Sequence, residues 1–157
     1  MTIAEPQIAS TSRLKKPAKP YRIHNYLKDT FAQDIAADVH SGLTSVPKSL
    51  PSKYLYDPRG SELFERICDL PEYYQTRTET DLISNVAGHV GASLAGSDLV
   101  ELGSGSARKI SLLLEAMDAR TRARVRYFPM DISLPALRGA GQDLNRRFPE
   151  LELHGFG

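Results

Sequence analysis

From Asp98 to Leu153 the chain alternates short apolar runs with segments of helical period, and this alternation constrains the fold more than any other feature. Asp98-Leu99-Val100-Glu101-Leu102 and Val125-Arg126-Tyr127-Phe128-Pro129-Met130 read as buried strands, and Leu151-Glu152-Leu153 as the opening of a third. Between them Ile110, Leu113, Leu114 and Met117 recur at close to 3.6 residues, which predicts a helix. A second helix follows Ser133, a capping residue, with Pro135 in its first turn, Leu134, Leu137 and Leu144 facing inward, and Pro149 beyond its end. Strand, helix, strand, helix, strand is the signature of a parallel sheet and an α/β fold.

Upstream the pattern is helical. The spacing of Phe31, Ile35 and Val39 predicts a helix capped by Asp29 or Thr30 and stopped by Gly42. A Pro-punctuated connector from Val46 to Pro51 leads to Lys53-Tyr54-Leu55-Tyr56 and the turn Asp57-Pro58-Arg59-Gly60. Ser61 is placed to cap a short helix carrying Leu63, Phe64 and Ile67. Thr78 and Asp81 match a loose capping box ahead of a helix with Leu82, Val86 and Val90 in register and Ile83, Ala87 and Leu94 beside them. Residues Met1–Pro20, rich in Ser, Thr, Lys and Pro, cannot bury enough apolar surface to offset their ordering entropy. The expected organisation is a flexible tail over 1–28, a helical segment over 29–97, and a sheet domain over 98–157.

Composition narrows the function classes. Lys and Arg number 20 against 19 Asp and Glu, a formal charge of +1, which gives no footprint for nucleic acid. No apolar run approaches the roughly 20 residues of a membrane span, and Met1–Ser10 has no apolar core of a secretory signal. The plain expectation is a cytosolic, cytoplasmic protein. Cys68, the one cysteine, excludes an internal disulfide and reads as buried filler beside Phe64. His24, His40, His89 and His154 show no ligand spacing, so no metal site is expected. Arg120, Arg122, Arg124 and Arg126 read as solvated charges.

The chemistry concentrates between Leu99 and Lys109. A strand feeding Gly103-Ser104-Gly105-Ser106 and then a helix lets backbone approach a ligand closely, because neither glycine carries a Cβ. The dinucleotide fingerprint needs a third glycine three positions later, and Arg108 stands there instead. Glu101 followed by G-S-G is what class I methyltransferases show around S-adenosyl-L-methionine. Asp131, at the end of the second strand, is the expected acceptor for both ribose hydroxyls. The bland alternative is that the glycines only turn the chain and that Asp131 only caps a helix.

Four blocks together resemble a particular family: L-P-S-K-Y-L-Y-D-P-R-G-S-E-L-F-E-R-I (Leu50–Ile67), L-P-E-Y-Y-Q-T-R-T-E (Leu70–Glu79), E-L-G-S-G-S-A-R-K (Glu101–Lys109) and F-P-M-D-I-S (Phe128–Ser133). The chain is similar over these blocks to the L-histidine Nα-methyltransferases of ergothioneine biosynthesis. The resemblance implies a Rossmann-like domain and three methyl transfers from S-adenosyl-L-methionine to the α-amine of L-histidine, ending at hercynine. It implies Gly103, Lys109 and Asp131 as cofactor-binding residues and Tyr56 and Tyr73 as substrate-binding residues, with no residue assigned as catalytic acid or base. On sequence grounds alone Lys109 either pairs with the cofactor carboxylate or, the reading favoured without the resemblance, is a solvated helix residue.

A sheet of this type has seven strands with the ligand where strand order reverses. The chain therefore reads as an N-terminal fragment, poor in activity alone, with a bare edge beside Leu99–Leu102 and the missing C-terminal half as a partner. Detectable hercynine formation by the purified chain would overturn that expectation. Two alternatives stand beside the histidine reading: a relative acting on another amino acid, such as a prenylated tryptophan, and a noncatalytic nucleotide-binding module.

Overall fold

The computed structural model describes residues 21–27 and 31–157. The order of elements is β1 (Arg22–His24), α1 (Phe31–Thr44), a 3-10 helix (Ser52–Tyr56), α2 (Pro58–Cys68), α3 (Gln75–Ser93), β2 (Asp98–Leu102), α4 (Arg108–Glu115), α5 (Ala119–Arg122), β3 (Arg126–Met130), α6 (Leu134–Arg147) and β4 (Glu152–Phe156). The four strands form one sheet in the order β1-β4-β3-β2, parallel throughout. The α/β fold and its three predicted strands are therefore present.

Period-2 alternation divides the sheet into two unlike faces. Leu99, Tyr127 and Leu153 stand in register on one face and pack with Ile110 and Leu114 of α4 and Leu144 of α6. Tyr127 is only 1% exposed there. On the other face Val100 is 53% and Leu102 79% exposed. Across β1, β4 and β3 that face carries stacked rings: His24 lies 5.0 Å from Phe156 and 6.0 Å from His154, and His154 lies 5.5 Å from Phe128.

β1 corrects the expected tail, which was drawn through residue 28. Arg22–His24 pair with His154–Phe156, and the amide of Tyr26 donates to the Gly157 carbonyl at 2.6 Å. The preceding Tyr21 anchors this strand: its hydroxyl donates to the Leu137 carbonyl at 2.8 Å. Its ring occupies the space over Gly141, where a Cβ would fall 2.0 Å from the ring. A three-residue strand stabilised only by such distant partners leaves no periodic trace. The rest of the expected tail, and the caps Asp29 and Thr30, lie outside the described residues.

Three local expectations change. Asp57, not Ser61, caps α2, its carboxylate accepting from the Gly60 amide at 2.6 Å with Pro58 in the first turn. Ser61 lies inside the helix. Helix α3 begins at Gln75, so Thr78 is within its first turn instead of capping it. The buried stripe of α3 runs through Ala87 and Gly91, the latter against Met117, while Leu82 and Val86 face outward. Arg122 is not a solvated charge; it pairs with Glu150 at 2.6 Å and donates to the Leu114 carbonyl at 2.9 Å, closing the turn after α4. Cys68 is buried as expected.

Candidate cofactor-binding site

The site begins where β2 ends. Gly103 and Gly105 adopt φ of +67° and +51°, the left-handed region that disfavours any side chain. This tight reversal is pinned to the neighbouring strand: the amides of Gly103 and Ser104 both donate to the Met130 carbonyl, at 2.9 and 3.0 Å. A Cβ at either glycine would meet nothing within 4 Å, so bare backbone faces open space. Ser104 Oγ is buried in the same loop with no hydrogen-bond partner among the described residues.

Asp131 follows β3 and joins the two turns. One carboxylate oxygen accepts from the Gly105 amide and the other from the Ser133 amide, each at 2.8 Å. Its own amide donates to the Phe156 carbonyl of β4 at 3.0 Å. Both oxygens keep further acceptor capacity. Ser133 then caps α6 through the Ala136 amide at 3.4 Å, as its position after the strand predicts.

Beneath the loop, Glu101 accepts a hydrogen bond from the hydroxyl of Tyr127. Burial pushes the Glu101 carboxyl above its ordinary range, and the Tyr127 bond, the nearby Lys109 charge and that of neighbouring carboxylates act as smaller influences. Burial and the Glu101 charge likewise push the Tyr127 phenol upward, so it stays a donor. Lys109, in the first turn of α4, pairs with Glu79 of α3 at 3.1 Å. It stands between two hollows: an open cleft of about 1380 Å³ and a small cavity of about 210 Å³ that Glu79 and Glu101 also line.

The larger cleft runs across the carboxyl ends of the strands, where parallel sheets bind their ligands. Gly103, Lys109, Asp131 and Tyr56 all line it. Tyr73 does not: it packs edge-on against Phe64, ring centres 6.0 Å apart, and Phe64 forms the wall. Residues not singled out for a site also line it, among them Ser61, Arg108 and Ser133. Arg108 carried one signal, a long cation where a dinucleotide fold has glycine. Ser61 carried none, because its partner Ser133 is 72 positions away.

Among the described residues, no helix is long and apolar enough to cross a membrane. The profile of a family described as histidine-specific, SAM-dependent methyltransferases matches residues 35–157. Histidine N-alpha-methyltransferase of Mycolicibacterium smegmatis is 42% identical over 130 residues, covering 82% of this chain and 40% of that protein. Ergothioneine biosynthesis protein 1 of Neurospora crassa is 42% identical over 88 residues, 55% of this chain and 10% of that protein. A 4-dimethylallyltryptophan N-methyltransferase of Trichophyton verrucosum is 33% identical over 119 residues, 75% of this chain and 35% of that protein. The chain thus spans about two fifths of the length of the histidine methyltransferase it matches. With its glycine turn, strand-end carboxylate and parallel sheet, this chain belongs to the histidine-specific, SAM-dependent methyltransferase family.

Proposed function

We propose that the whole protein methylates the α-amine of L-histidine with S-adenosyl-L-methionine, forming hercynine on the route to ergothioneine, and that residues 98–157 hold the amino-acid and ribose parts of the cofactor. The observation that carries the reading is the pair of left-handed glycines whose turn is hydrogen-bonded to the Asp131 carboxylate, with open space above the glycines. Side-chain-free backbone there fits a ligand that must come close. The Asp131 oxygens, already oriented by two amides, would accept the ribose hydroxyls with their remaining lone pairs. Lys109 would exchange or share Glu79 for the cofactor carboxylate.

When bound, S-adenosyl-L-methionine supplies a methyl group on a positively charged sulfur. The chain's own residues then align and desolvate an amine, which matters more for such a displacement than a strong base. Tyr56, half-exposed in the cleft, would hold that amine by a hydroxyl contact, while Tyr73 would back the wall through its edge contact with Phe64. The Tyr56 ring would favour the developing cation by about 0.5–2 kcal/mol. Substrate choice among relatives differs, and the greater identity to the histidine enzyme than to the tryptophan-derivative enzyme favours histidine.

The test has two arms. Calorimetric titration of S-adenosylhomocysteine into the folded protein is expected to release heat; a folded sample that binds none overturns the cofactor reading. The protein is then given the methyl donor with L-histidine or with 4-dimethylallyltryptophan. Trimethylhistidine, detected by mass spectrometry, is the expected product, and preference for the tryptophan derivative overturns the substrate assignment.

A further inference from the structure

Helix α2 forms one wall of the cleft through Pro58, Ser61, Phe64 and Glu65, yet among its eleven residues only Cys68 is buried. Leu63, Phe64 and Ile67 remain between 40% and 45% exposed. So little apolar burial leaves its position to polar ties. One is the approach of Ser61 Oγ to Ser133 Oγ at 3.3 Å. The other is Arg108, which sets its guanidinium 3.6 Å from Glu65 and 3.7 Å from Asp69, near the two ends of the helix's last turn.

Arg108 is an odd choice on local grounds. It opens α4, where the positive end of the helix dipole disfavours a cation, and α4 has no acid in its first turn and no side-chain cap. The carboxylates that compensate it come from α2 instead. Helix α2 is in turn closely joined to the 3-10 helix that carries Tyr56. Asp57 joins them and caps α2, and Gly60 sits so close to the Leu55 carbonyl that a Cβ would fall 1.7 Å from it.

We infer that Arg108 is a positioning residue: it straps α2, and with it Tyr56, over the glycine loop, so that the amino-acid side of the cleft keeps its spacing from the cofactor side. The inference rests on the function proposed above. Its parts are Arg108, Glu65 and Asp69, none of which need touch the amino acid. The ion pairs are exposed and individually weak, which suits a wall that must admit and release ligands.

The test compares Arg108→Gln and the charge swap of Arg108→Glu with Glu65→Arg in the whole protein. For Arg108→Gln, amide exchange over residues 58–68 should quicken while that of β2 and β3 holds. The KM for histidine should rise about three- to tenfold, the scale of two exposed ion pairs. Affinity for S-adenosylhomocysteine should change less than about twofold, and the swap should recover part of the KM. Unchanged exchange in α2, an equal loss for both ligands, or no recovery by the swap each overturns the inference. If no variant, the parent included, binds histidine, the functional proposal falls, and the exchange data still decide whether Arg108 straps the helix.

Discussion

Between Ala107 and Leu153 ten side chains form one buried cluster, whereas α1, the 3-10 helix and α2 contribute a single buried residue, Cys68, among the side chains described. The sheet region is thus held by apolar burial and the helical region largely by polar contacts. Asp38 of α1 shows the second mode well, accepting from the Tyr54 hydroxyl at 2.6 Å and pairing with Lys53 at 2.8 Å. These neighbours hold its carboxyl below the ordinary range. Burial gives a rigid platform for the glycine turn and Asp131, while exposed polar ties give a wall that can shift. The two sides of one cleft are stabilised by different physics.

The contrast breaks first in the core. Leu153→Ala, at a site 1% exposed, is expected to lower unfolding free energy by about 2–5 kcal/mol, whereas Leu82→Ala on the outer face of α3 should stay within about 0.5 kcal/mol. Denaturant titration of the two variants measures the difference, and equal losses would show that the helical region has a core of its own. Next comes the platform's functional group: Asp131→Ala should weaken S-adenosylhomocysteine by about 1.5–3 kcal/mol, the scale of a charged hydrogen bond. Histidine affinity should fall less, and equal losses in calorimetry would make Asp131 a structural residue only.

A smaller change sharpens the comparison from the helical side. Asp57→Ala removes the cap of α2 and should cost about 1 kcal/mol, read as faster amide exchange confined to residues 58–68. Exchange quickening equally through β2 and β3 would mean that α2 and the sheet unfold as one unit. The last prediction concerns pH. Folding raises the Glu101 carboxyl above its ordinary 4.5, so its favourable contribution is present below that pH and is lost as pH rises through the folded value. Glu101→Gln keeps an acceptor for Tyr127 and removes the titration. The variant should be more stable than the parent at neutral pH and show a flatter dependence above 4.5, with thermal unfolding across pH as the check.

Much of this fold is legible in the sequence. β2 and β3 follow from short, largely apolar runs of strand length, the opening of β4 from Leu151-Glu152-Leu153, and α4 and α6 from a period near 3.6. The sequence of α3 leaves its buried stripe open, because it offers two adjacent apolar rows, through Leu82 and Val86 and through Ile83 and Ala87. Small size at Gly91, which admits Met117, decides between them. Of the expected site residues, Gly103, Lys109, Asp131 and Tyr56 reach one cleft, and Tyr73 stands one ring behind it.

Local conformation was inherent in the residues themselves. Glycine alone accepts the left-handed turn at positions 103 and 105 without strain, Ser133 precedes a helix it can cap, and apolar period separates strand from helix. Those are preferences of a few neighbouring residues, so neighbours suffice to state them. β1 on the free edge of β4, Tyr127 under Glu101, Glu79 on Lys109 and Arg108 on Glu65 and Asp69 had to await the folded chain. Each joins residues more than twenty-five positions apart, and no local pattern encodes which distant charge or edge will arrive beside it.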